Sequence, residues 1–446
     1  MKSFFYYFLS FLFISALLWH VVPPAGHFDV DSYGYDSIAA YFAQTGDLTD
    51  PHQPESAPIQ PVGYPFIVGV FYKIFGRDVR PILIAQILLM CVALFLLMRI
   101  AQNFGGKKCA CITGLFFLLS PGCYIYPQLL LAETFLVVLL LFMLERYLLF
   151  LRTGNMHLLM IIGVCAGISM LIKPVVMLLM VALLGITWCA VRAQKKSMKH
   201  AMLCMLVLFG TFALPVLVYV ARNYVRYGHA AFAPMMPLNI YQVFLAKVMG
   251  ALTHKDPQEF IESELRFQGA HSFDYAGWDH ARDLFAQHVK AYPFLCIKIW
   301  CINVIKTWCG LYVTQLKKMI EPDGSLVGHS FFVQSGTCRE KITAYIAGGT
   351  SLDWIVALGW YECIWSILRL LLASFGMYLI FKKDTRLGWL FLSVCISLSV
   401  PTGIDGCCRY RIIFEAVLIL LSAIGFLEMF VRCFNKKKEQ KYDVAW

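Results

Sequence analysis

Charge is what this 446-residue sequence has little of. Asp, Glu, Lys and Arg make up 15% of it, and acids are the scarcer sign, 27 against 38 bases. Hydrophobic residues supply 59%, and the mean hydropathy is +0.67. A soluble domain cannot cover so much apolar surface, so the composition points to a chain embedded in lipid. Internal repeats and low-complexity tracts are also missing, which removes repeat architectures. The 16 cysteines show no metal-ligand spacing. Cys91, Cys165, Cys189 and Cys395 act as small apolar residues within hydrophobic runs, Cys407 and Cys408 are adjacent, and Cys296, Cys301 and Cys309 match no ligand pattern. A disulfide through Cys338 stays open for an oxidising compartment. His254, His271, His280 and His288 fit no compact zinc motif.

What is present is a series of apolar runs, each near the roughly 20 residues that a spanning helix needs. They predict an all-α polytopic membrane protein of about 10 transmembrane helices (range about 9–12), near 4–22, 80–101, 109–126, 133–151, 157–172, 175–191, 201–220, 355–381, 387–402 and 412–432. The first run is too long for a typical signal peptide and lacks a convincing cleavage site, so it reads as a retained helix. The net charge of +11 could suggest nucleic acid, but the bases lie in short clusters between the apolar runs. Arg99, Lys107 and Lys108, Arg146 and Arg152, Arg192 to Lys199, Lys382 to Arg386, and Lys436 to Lys438 all fall on one side if both termini are cytoplasmic. Nucleic acid is therefore not an expected partner.

This topology gives an N-terminal module (1–220) whose first outer loop is 23–79, a large outer loop (221–354), and C-terminal helices with a basic tail (355–446). The stretch "FLCIKIWCINVIKTWCGLYV" (294–313) carries Lys298 and Lys306 and reads better as an interfacial amphipathic helix than as a span. "DHARDLFAQHV" reads as a second amphipathic helix.

The ionisable residues at the outer boundary carry the functional argument. In "FDVDSYGYDSIAAYFAQTGD", Asp31, Tyr35 and Ala39 share one helix face, and Gly46 ends the helix. A carboxylate beside low-dielectric material can be tuned for acid–base work. Glu133 stands at the outer mouth of the fourth helix, where an ionisable group is costly. Lys173 lies in a tight outer turn, Arg222 follows the seventh helix, and Arg409 and Arg411 begin the last one. Outward arginines oppose the positive-inside bias, and their planar fork suits a phosphate whose chain lies in lipid. Each has a bland alternative: solvated acids, a snorkelling lysine, headgroup anchors.

Taken in order, "DSYGYDSIAAYFAQTGD", "PVGYPFIVGVFYKIFG", "LAETFLVVLLLFMLERYL", "GVCAGISMLIKP", "ARNYVRYG", "AQHVKAYPFLCIKIW" and "CRYRIIFE" resemble the polytopic GT-C glycosyltransferases that use polyprenyl-phosphate sugars. The nearer likeness is to the protein-mannosyltransferase, lipid A aminoarabinose-transferase and Rgt-like group, over roughly residues 4–430. Val62 stands where these relatives have a second Pro, and Ser32 where several carry Glu. The soluble C-terminal domain of some relatives has no counterpart, so acceptor recognition is expected from the two outer loops.

The resemblance implies a GT-C-like fold with interfacial helices in two large outer loops. It implies transfer of a hexosyl- or pentosyl-type sugar, with inversion, from a polyprenyl-phosphate donor to lipid A, core oligosaccharide, polymer or protein, on the outer face of a bacterial inner membrane. Asp31 would be the general base and Glu133 a second acid. Lys173, Arg222, Arg409 and Arg411 would neutralise the donor phosphate, while Tyr35, Tyr64 and Asn239 would meet sugar or acceptor. No cofactor is certain, although Asp31, Glu133 and a phosphate make an oxygen-rich place for Mg2+ or Mn2+. A transporter or flippase of a lipid-linked sugar, and a non-catalytic envelope scaffold, are the alternatives.

Overall fold

In the computed structural model, residues 2–52, 58, 60–230, 232, 239–253, 283, 285–321, 337–348 and 350–434 are described. His254, His271, His280, the side chain of Cys338, part of the 279–289 stretch and Lys436 to Lys438 lie outside them.

The described residues form helices throughout: α1 (Lys2–Val21), α2 (Val30–Thr45), α3 (Gly63–Phe75), α4 (Arg80–Leu118), α5 (Glu133–Thr153), α6 (Met156–Ile172), α7 (Val176–Ala193), α8 (Met198–Tyr227), α9 (Pro293–Cys309), α10 (Val313–Ile320), α11 (Cys338–Ala347), α12 (Asp353–Lys383), α13 (Thr385–Ser399) and α14 (Ile412–Phe434). Eight are long and apolar enough to cross a membrane, or nine if α9 and α10, bent by 75°, form one span.

α4 accounts for two of the expected spans. Gly105 and Gly106 break it, with Gly106 at φ 62°, ψ −154°, a region open essentially to glycine alone. A Cβ on Gly114 would lie 3.2 Å from Met98 Sδ, whereas a straight helix would hold those residues about 24 Å apart. The helix is therefore a hairpin of two packed arms. α6, at 17 residues, is the other expected span that the length criterion passes over.

Position in the bundle follows composition. α14 and α4 are packed on most sides and line the core with α5. α1 and α8 lie at the edge, where Phe13, Leu17, Leu206, Leu214, Leu217 and Val225 remain exposed. Bare apolar faces on helices that satisfy their own backbone are what a bilayer solvates. The chain is thus a multi-pass membrane protein.

The 294–313 stretch is helical to Cys309 and then turns sharply. α2 and α3 pack on each other at one end of the bundle, and α3 also touches α6 and α4. That end carries the candidate site.

Candidate active site

Four local structures deliver charged side chains to one place. Asp29 caps α2, accepting from the Val30 N–H (2.9 Å), while the Asp29 N–H donates to Ser32 Oγ (2.9 Å). This reciprocal capping starts the helix so that Asp31 falls in its first turn. Ser32 Oγ donates to Leu130 O (3.0 Å), and the Leu130 N–H donates to His27 O (2.9 Å). His27 Nδ1 pairs with Gln128 O (2.7 Å). Residues 27–32 are thereby zipped to 128–130, and Glu133, first residue of α5, comes beside Asp31. Burial lowers the affinity of His27 for a proton, against its hydrogen bond to Gln128.

Lys173 is the residue after α6, extended at φ −155°, ψ 123° as the following Pro174 requires. A carboxylate at the start of α5 and an ammonium at the end of α6 each meet the favourable end of a helix dipole. The fourth piece is the 3-10 turn Cys408–Arg411 leading into α14.

Arg409 is the hub. Its Nε donates to Glu133 Oε1 (2.6 Å), one Nη donates to Asp31 Oδ2, and the other lies 3.5 Å from Asp29 Oδ2. Lys173 Nζ donates to the same Glu133 oxygen and sits 4.8 Å from the Tyr410 ring centre. Three carboxylates thus surround two cations. The Glu133 side chain is wholly buried, Arg409 nearly so, and Asp31 is the most open at 29% exposed. Burial pushes the proton affinity of the Lys173 amine below that of an ordinary lysine, with the Glu133 charge working against it.

Beneath the cluster, Tyr35 and Tyr64 meet edge to face with centroids 4.9 Å apart. Tyr64 donates to Gln86 Oε1 (2.8 Å), and Gln86 Nε2 donates to Pro127 O (3.1 Å) and Leu129 O (2.7 Å). Burial, and then the nearby Asp31 and Glu133 charges, raise the Tyr35 phenol well above its usual range; burial does the same for Tyr64.

The remaining residues singled out in the sequence lie elsewhere. Arg411 points the other way from Arg409, into a sealed cluster with Glu415, Glu362 and Tyr312. Arg222 donates to Leu48 O (2.8 Å) and pairs with Asp47, which Arg226 also holds. Asp47 lies at the far end of the 16-residue α2, about 24 Å from its start. Asn239 is half-buried at the start of the helical turn Asn239–Leu245.

Among the described residues no three His, Cys, Asp or Glu side chains are grouped to hold a metal. The Arg409 guanidinium stands between Asp31 and Glu133, so a divalent ion does not fit between those carboxylates as they are arranged. Sequence reasoning missed Asp29, legible as an N-cap, and the buried Glu362, Arg369 and Glu415. Ionisable residues inside apolar helices were the available signal for those three.

Residues 59–219 match the family "Dolichyl-phosphate-mannose-protein mannosyltransferase". Among solved structures, the oligosaccharyltransferase of Archaeoglobus fulgidus tethered to an acceptor peptide matches with TM-score 0.54 and 15% identity, over 96% of this chain and 50% of that one. The same organism's oligosaccharyltransferase AglB, in complex with an inhibitory peptide and a dolichol-phosphate, matches with TM-score 0.50 and 13% identity, over 98% and 53%. This chain therefore spans about half the length of those proteins. No curated protein matches it. The fold is of the GT-C type, with the mannosyltransferase family's sequence pattern over 59–219.

Proposed function

We propose that the protein is a membrane glycosyltransferase that moves a sugar from a polyprenyl-phosphate donor to an envelope acceptor, with inversion at the anomeric carbon. The observation that carries this reading is the convergence of Asp31, Glu133, Lys173 and Arg409 at one end of the bundle. Such a set can do two things at once: hold a phosphate and take a proton.

In this reading the donor phosphate enters at Arg409 and takes the place of Asp31, the most open of its three carboxylate partners. Glu133 keeps Arg409 and Lys173 facing the phosphate. Asp31, released, accepts the proton of the acceptor hydroxyl. The acceptor oxygen bonds to the anomeric carbon from the opposite face as the bond from that carbon to the phosphate oxygen breaks. Polyprenyl phosphate leaves with the bonding pair, and the two fixed cations stabilise its growing charge without reorganisation. Tyr35 and Tyr64 give the pocket a rigid floor.

Arg222, held by Asp47 at the far end of α2, takes no part in donor binding in this reading, and Asn239, from the second outer loop, is assigned to the acceptor. The positive charge at the phosphate comes from Arg409, which occupies the space between the carboxylates, and from Lys173. The clusters at 107–108, 192–199 and 382–386 lie at the helix ends opposite Asp31. By the positive-inside rule this charge distribution supports a site on the outer face of the membrane, which in this reading is a bacterial inner membrane. A lipid A, oligosaccharide, polymer or protein acceptor and a hexosyl or pentosyl donor all satisfy this chemistry.

A transporter would need polar groups along a path through the bilayer. Arg369 and Glu415 lie within the spans, but each is only 1% exposed and paired with the other, so neither lines an open path among the described residues. The deciding experiment is binding of undecaprenyl phosphate to the protein in nanodiscs. Saturable binding by wild type and its loss in Arg409→Ala supports the reading; no binding by folded wild type overturns it.

A further inference from the structure

The buried charges around Arg411 have no part in the chemistry above, yet they are costly to keep in apolar surroundings. They surround the break between α9 and α10. Glu362, from the middle of α12, accepts from the Tyr312 N–H (2.7 Å) on one oxygen and from the Val313 N–H (2.8 Å) on the other. It thereby caps α10, whose first N–H groups have no partner within the helix. Arg411 approaches the same carboxylate at 3.7 Å. It also donates to the Trp308 and Gly310 carbonyls (2.6 and 2.8 Å), the last turn before the break, and to Tyr312 Oη (3.1 Å) and Glu415 (3.2 Å). Glu415 in turn pairs with Arg369.

Both sides of the candidate site rest on this break. Arg411 belongs to the same 3-10 turn as Arg409, and a Cβ on Gly310 would come within 2.9 Å of Cys408 Cβ. At its other end α10 presses on the loop before α2. The Met319 carbonyl lies where a Cβ on Gly26 would stand, one residue from His27 and three from Asp29. Only glycine allows that approach.

We infer that Glu362 is a positioning residue for the donor-phosphate site: by clamping the α9–α10 break together with Arg411, it fixes the turn that aims Arg409 at the Asp29–Asp31 arm. Glu362 touches neither donor nor acceptor. The inference rests on the phosphate-binding reading of Arg409, and its test separates the two.

Undecaprenyl phosphate binding and thermal unfolding are measured in nanodiscs for wild type, Glu362→Gln and Glu362→Asp. Gln offers one acceptor oxygen to two N–H donors and leaves Arg411 with Glu415 as its remaining carboxylate partner. The Kd is expected to rise about tenfold, the size of one charge-assisted hydrogen bond. Asp keeps both oxygens and is expected to recover most of that loss. In turnover, the donor KM rises while the acceptor KM stays. An unchanged Kd in folded Glu362→Gln overturns the inference, whatever happens to the unfolding temperature. If that variant does not fold, Arg411→Lys keeps the charge but loses the fork, and wild-type affinity in it overturns the inference as well. Absence of binding by wild type removes the functional reading and this inference with it.

Discussion

At the scale of single residues, two arginines two positions apart have opposite surroundings. Arg409 faces Asp29, Asp31 and Glu133, whereas Arg411 faces Glu362, Glu415 and the Trp308 and Gly310 carbonyls. The sequence shows an Arg-x-Arg pair but not that its turn is 3-10. In an extended strand positions two apart share a face, whereas in a turn of three residues they lie about 120° apart around the axis, so the pair divides between two clusters. Asp31, Glu133 and Lys173 were legible as costly or oddly placed charges, and the structure brings them together. Arg222, expected at the donor phosphate, lies instead beside Asp47 at the far end of α2, because that pairing depends on the length and direction of the helix. Asp31→Asn should lower kcat by about 10^2–10^4-fold, the range for a lost general base, while donor Kd falls, because the phosphate no longer has a carboxylate to displace from Arg409; wild-type turnover in a transfer assay would rule out the base role.

Asp47 allows a residue-scale prediction about pH. Its burial favours protonation, but the Arg226 hydrogen bond and charge outweigh this and hold the carboxyl below its usual value. A carboxyl depressed in the folded state contributes its full stability above the unfolded value, about 3.9. That contribution is lost as pH falls through the lower folded value. The α2–α8 junction should therefore loosen in acid. Exchange protection at 45–50 and 222–228, corrected for the intrinsic slowing of amide exchange in acid, should fall on acidification in wild type and change little in Asp47→Asn.

At the scale of elements, apolar run length located the spans, and local signals located ends. Gly46 closes α2 at φ 79° as the sequence suggests. The hidden event was how short the turn is: "NFGGKK" reads as a boundary, and Gly105 and Gly106 alone leave helical geometry to reverse the chain between the two arms of α4. Gly106→Ala should cost about 1–3 kcal/mol, because an alanine there would occupy a glycine-only region. The unfolding temperature in detergent would show it, and an unchanged value would mean that the arms do not need this turn. Ser32→Ala should cost about 0.5–2 kcal/mol through the lost cap, and it also removes the bond to Leu130 that draws α2 toward α5.

At the scale of the whole molecule, the ten apolar runs and the one-sided bases described a polytopic helical chain, which the fold shows. What they could not show is which helices lie inside, since α14 and α1 have similar apolar content but opposite positions. Interior position is set by packing partners distant in sequence. The orientation is testable: in sealed right-side-out cells, an impermeant maleimide should label Asp50→Cys and should reach Lys195→Cys only after permeabilisation, both in a background with Cys189, Cys301, Cys309 and Cys433 replaced. The reverse pattern would put the site on the other face.

The α4 hairpin has one more consequence, for how the chain is made. Its arms are joined by two glycines, with Lys107 and Lys108 directly after them. No linker is long enough for one arm to enter the bilayer and wait for the other. The pair must leave the insertion machinery together, backbone already paired along its length, with the two lysines holding the bend at the surface it came from. Lengthening that turn would uncouple the arms during synthesis while leaving every contact of the finished site in place.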